Sequence, residues 1–188
     1  MKNQTKTQIT LHMGQWAVSR SQEESLVSPC LGSCVALCLY SPENKIGAMA
    51  HVVLPNRNIS LTGKNLHPYP DARYAEEALT ILLDEIFRIV GQKDISIKAK
   101  LAGGAQMFKG ALSRVPTLDS NQSSSTTKKG FPLIGYKNIV AIKQELLKVN
   151  IQLVSNDLGG DHGRTVSFDP LSGEMLVRKI GQSQELLL

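Results

Sequence analysis

Three cysteines recur at four-residue intervals in SPCLGSCVALCLYSPENKIGAMAHVVLP, residues 28–55, as Cys30, Cys34 and Cys38, and His51 lies near the end of the same stretch. Thiols and an imidazole so placed admit three readings. They could ligate a metal, work as a nucleophile with its base, or pack as small apolar side chains. Four-residue spacing stacks ligands only on a helix, and this segment is rich in β-formers. In a strand, Cys34 and Cys38 share a face but stand about 13 Å apart at roughly 3.3 Å per residue. That is too wide for one metal, and there is no CxxC pair.

Packing accounts for Cys38, flanked by Leu37 and Leu39, and for Cys30, beside Pro29 and Leu31. Cys34 differs because it follows Gly32-Ser33, where a turn enters a strand. A glycine there permits close backbone approach and leaves N–H groups free to face an oxyanion. A thiol acts as a nucleophile when a base, commonly histidine, takes its proton. Residues 33–40 and 45–54 read as strands around Ser41-Pro42-Glu43-Asn44, a good turn sequence, and together as a β-hairpin. A turn centred on Pro42-Glu43 sets Cys34 directly opposite His51. A loop two residues longer leaves them diagonal on one face, close enough for an ion pair, and an odd count separates them. A histidine packed inside a sheet fits the spacing of His51 equally well.

Beyond the hairpin, residues 9–19 (ITLHMGQWAVS) alternate loosely as a strand. The polar segment 55–70 leads to Asp71 as the N-cap of a helix over 72–90. Its apolar positions are Ala75, Ala78, Leu82, Ile86 and Ile89, and Gly91 ends it. Residues 95–104 alternate as a strand running into Gly103-Gly104. Asn138 caps a second helix carrying Ile139, Ile142, Leu146 and Val149 on one face. Strands near 151–156, 164–169 and 174–180 follow, with DLGGDHG read as a hairpin turn rather than a metal site of Asp157, Asp161 and His162. Residues 113–131 are Ser/Thr-rich and read as a long mobile loop. The pattern is a single α+β domain over 1–188, built of packed layers from mostly antiparallel strands and two long helices.

With 188 residues the chain can bury a core without disulfides or metals. The start MKNQTKTQIT carries no secretory signal, and no apolar run is long enough to span a bilayer, so the expected setting is the cytoplasm and the protein is not membrane-embedded. The formal charge of +5 is spread along the chain, with no basic helix or basic-aromatic stripe, which gives no support to nucleic-acid binding.

LGSCVALCLY followed by GAMAHVVLP resembles the signature of the CheD family, the chemotaxis receptor glutamine deamidases. The resemblance continues in order through ARYAEEAL, LAGGAQMF, IGYKNI and DLGGDHGRTVSFDPLSGEMLVR, covering about residues 25 to 180. It implies hydrolysis of glutamine side chains on the cytoplasmic part of chemoreceptors, with Cys34 as nucleophile, His51 as general base, and neither metal nor cofactor. It also implies an α/β sandwich similar to cysteine-based deamidating toxins. The family's third catalytic residue is a threonine a few positions before the cysteine. Here the matching region is Ser28-Pro29-Cys30, and Ser28 is the closest substitute for orienting His51. The 113–131 loop is longer than the family norm and reads as an insertion. A further implied partner is CheC, a phosphatase of the response regulator. The missing threonine keeps open a second reading, a non-catalytic adaptor that regulates such a phosphatase. A thiol redox sensor is a third reading, resting on the cysteine count alone.

Overall fold

The computed structural model describes residues 6–57, 72–107 and 134–188. Asp71, His67 and the loop 113–131 lie outside them. The described elements are, in chain order, β1 (Thr7–Thr10), β2 (Trp16–Ser19), β3 (Glu24–Leu31), β4 (Val35–Ser41), β5 (Ile46–Val52), α1 (Ala75–Val90), β6 (Lys98–Gly103), α2 (Ile134–Lys148), β7 (Gln152–Leu158), β8 (Arg164–Phe168), β9 (Met175–Lys179) and β10 (Glu185–Leu187). The fold class is α+β, as the mixture of periodicities implies.

The strands form two five-stranded sheets, one ordered β1-β3-β8-β9-β10 and the other β2-β5-β4-β6-β7. Pairing is antiparallel except for β1 with β3 and β6 with β7. In the second sheet β4 and β5 are buried on both faces, which is why they read as continuous apolar runs. Val35, Leu37, Leu39, Ala48, Ala50 and Val52 pack against Ala78, Leu82 and Ile86 of α1 and Ile142 and Leu146 of α2. The opposite face, carrying Ala36, Cys38, Tyr40 and Met49, packs on Leu26, Leu31, Val166, Phe168 and Met175 of the first sheet. Three layers result, with both helices on the outer face of the second sheet.

Several local expectations shift. The 9–19 segment is two strands in different sheets, with Gly14 at φ 79 in the turn between them. α1 starts at Ala75 after Tyr74, which supplies no side-chain cap, and ends on Gly91 in the left-handed region. Asn138 lies inside α2, fully buried, rather than capping it. DLGGDHG is a crossover between sheets, since β7 and β8 belong to different ones. Arg164 pins that crossover, donating to Asp157 Oδ2 at 2.7 Å, Gly159 O at 2.8 Å and His162 O at 3.1 Å.

Candidate active site

The β4–β5 hairpin has the longer of the two considered loops. Ser41 pairs with Ile46 and Ala36 lies opposite His51, so Cys34, two residues earlier, is one diagonal step from His51. A diagonal step corresponds to about 7–8 Å between backbone positions. Cys34 packs against the inter-sheet core, on the face that parity assigns to His51 and Met49. His51 is 4% exposed and Cys34 is partly exposed, at the open end of the hairpin.

Ser28 comes from the other sheet. It pairs with Val166 in β3, and a bulge follows before Leu31 pairs with Arg164. Cys30 occupies the bulge at φ 55 and is exposed, so the bulge turns its side chain out and lets both Ser28 and Leu31 point into the core. Ser28 Oγ lies 2.9 Å from His51 Nδ1. The sequence left the threonine position open, and here a serine hydroxyl meets the imidazole.

The chain crosses between sheets at this point and encloses His51. Its backbone N–H donates to Gln15 O and its carbonyl accepts from Gly14 N–H, both at 2.9 Å. Leu11 O lies 3.3 Å from His51 Nδ1 and accepts from Ser28 Oγ at 3.4 Å. A carbonyl only accepts, so the network assigns the ring proton to Nδ1. The Nε2 lone pair is then available, and Nε2 is buried with no partner among the described residues.

Burial pushes the Cys34 thiol up to about 11. Burial also pulls His51 below its ordinary value, while the Leu11 carbonyl opposes this and His12 adds to it. Both shifts favour the uncharged forms of the two groups, because neither charge is well solvated between two sheets. Cys38 is fully buried, with its thiol against Met175 Sδ at 3.8 Å. Asp157 is paired with Arg164 and with Lys179 at 3.1 Å, so it is engaged as a structural anion. Two contributors were not found by sequence reasoning. Leu11 acts through its backbone, which leaves no side-chain signal. Asn138, within IGYKNI, donates from Nδ2 to Ser33 O and to Val53 O, each at 2.9 Å.

Residues 53–179 match the family model described as CheD chemotactic sensory transduction. A relative from Methanococcus maripaludis strain C6, named "Probable chemoreceptor glutamine deamidase CheD", is 37% identical over 91% of this chain and 94% of its own. "Chemoreceptor glutamine deamidase CheD" of Thermotoga maritima is 35% identical over 93% of each chain, and that of Bacillus subtilis strain 168 is 34% identical over 84% and 82%. The chain belongs to the CheD family. The family-model match begins two residues after His51, so the argument for Cys34, His51 and Ser28 rests on their geometry. No helix among the described residues is long and apolar enough to cross a membrane.

Proposed function

We propose that this chain, acting as one domain, deamidates glutamine side chains on the cytoplasmic part of chemoreceptors; its relatives are named chemoreceptor glutamine deamidases. The observation that carries the mechanism is the 2.9 Å contact of Ser28 Oγ with His51 Nδ1. It orients the ring and leaves Nε2 as the base on the face shared with Cys34. As Cys34 Sγ attacks the substrate carboxamide carbon, Nε2 takes the thiol proton and the carbonyl π pair moves onto oxygen. Collapse of the adduct breaks the C–N bond, and the imidazolium returns the proton to the leaving nitrogen, releasing ammonia. Water, deprotonated by His51, then hydrolyses the thioester to glutamate and frees the thiol. The formal charge of +5 suits substrates rich in glutamate.

The test is incubation of wild type and Cys34→Ala with a receptor cytoplasmic fragment, reading Gln→Glu conversion by mass spectrometry. Conversion by wild type alone supports the mechanism. Silence from both, with CheC binding retained, would replace it with the adaptor reading.

A further inference from the structure

Asn138 is fully buried in α2 and reaches across to the sheet. Its Nδ2 spends both hydrogens on backbone, donating to Ser33 O just before Cys34 and to Val53 O two residues after His51. Residues 34 and 53 are the next opposed positions beyond the last β4–β5 pair, Val35 with Val52. The carboxamide thus closes the open end of the hairpin. Its Oδ1 has no partner among the described residues. A buried acceptor left unpaired is unfavourable, so the residue is a poor choice for stability alone.

The neighbouring carbonyls are tied as well. Gly104 N–H donates to Cys34 O at 2.7 Å and Ala105 N–H to Gly32 O at 2.8 Å. α2 sits close enough for this because Gly135 and Gly104 touch without side chains; a Cβ on Gly135 would come within 2.5 Å of Gly104 O. No described peptide bond is cis, and in a trans peptide the C=O and N–H point in opposite directions. Fixing Ser33 C=O toward α2 therefore aims Cys34 N–H away from it. Gly32 C=O is fixed toward Ala105 instead, which aims Ser33 N–H away from that residue. Neither N–H has an acceptor among the described residues. The nucleophile's own N–H is a natural donor to an oxyanion formed on the carbon it attacks.

We propose that Asn138 is a positioning residue of this site, holding the Ser33–Cys34 peptide so that the N–H groups of Ser33 and Cys34 form an oxyanion hole. The inference rests on the reading of Cys34 as nucleophile.

The test uses the full chain with Asn138→Ala, Asn138→Asp (nearly isosteric but unable to donate twice) and Ile142→Ala. Ile142 is a buried α2 core residue, and its variant serves as a control for general loosening of the helix. Three quantities are measured: kcat and KM on a receptor fragment, the alkylation rate of Cys34 by iodoacetamide, and protection of Cys34 from alkylation by butyraldehyde. Alkylation is a displacement at carbon and builds no oxyanion. In the aldehyde adduct, sulfur bonds to the carbonyl carbon, the π pair moves to oxygen, and that oxygen takes the thiol proton.

Both Asn138 variants should lose kcat by about 100-fold, the scale of one oxyanion donor. Their KM and alkylation rates should stay within about threefold, and butyraldehyde protection should weaken about tenfold. Ile142→Ala should keep kcat within about threefold. Equal kcat losses in Asn138→Asp and Ile142→Ala, or alkylation falling in parallel with kcat, would overturn the proposal. Aldehyde protection that depends on Asn138, in a wild type that converts no glutamine, would leave the oxyanion hole standing and remove the deamidase reading. Deamidation undiminished in Asn138→Asp would do the reverse.

Discussion

His51→Ala should abolish deamidation while leaving the ionisation of Cys34 almost where it was. Burial is the cause that holds this thiol at about 11, and the same burial keeps the His51 ring neutral, so no imidazolium lowers the thiol. At pH 7 a group of that pKa is ionised to about one part in ten thousand. Removing a neutral ring removes no charge, and the midpoint should move by less than about half a unit, or about 0.7 kcal/mol. A preformed thiolate–imidazolium pair would behave oppositely, because its thiol is depressed by about 1–5 units and that depression vanishes with the histidine. The assay is pulse alkylation with iodoacetamide across pH 7–10, with Cys34 followed by peptide mass spectrometry. In both proteins the rate should climb about tenfold per pH unit without a plateau, the two profiles superimposing. A wild-type plateau below pH 8 that disappears in His51→Ala would refute the general-base account.

Three other outcomes follow from the packing. Ser28→Ala removes one neutral hydrogen bond to the ring, worth about 1 kcal/mol, and should lower kcat about five- to tenfold with KM little changed in steady-state deamidation assays. The two remaining cysteines should separate in urea unfolding. Cys38→Ala should cost about 1 kcal/mol by emptying space beside Met175, whereas Cys30→Gly should gain about 1 kcal/mol by relieving the positive φ, both retaining activity. Asp157→Ala strands the buried Arg164 and should cost about 3–5 kcal/mol. Burial opposes ionisation of Asp157, but hydrogen bonds from Arg164 and Lys179 hold its carboxyl below the ordinary 3.8. Its stabilisation is therefore full above 3.8 and lost as pH falls through the folded value, so the variant should show a flatter acid limb in thermal melts.

The hairpin was legible because Pro42 and Asn44 mark a local turn, and parity alone kept Cys34 and His51 on one face for either even loop. α1 was legible from its apolar spacing and Gly91. The pairings of β1 with β3 and β6 with β7 were not, since a parallel ladder joins segments that carry no local mark of each other. Asn138 misled for a physical reason. Asparagine is a favoured cap, and the same donors that serve at a helix end are used here on Ser33 and Val53 across the helix–sheet contact. The crossover at Gly159-Gly160 looked like a hairpin because both need left-handed backbone, and choosing between them requires knowing which sheet each flanking strand joins. Leu11 shows the limit most plainly, because its carbonyl would serve equally well from almost any residue.

The sheet-on-sheet arrangement has a consequence for how the protein would be switched. Ser28 and the Leu11 carbonyl belong to the layer farther from the helices, while His51 and Cys34 sit on the helix-backed layer. The hydrogen bonds that aim the imidazole exist only while the two layers are seated on each other. Under the proposed mechanism, activity is thus a reporter of docking between layers. Loosening that seating would leave the thiol in place and the imidazole unaimed.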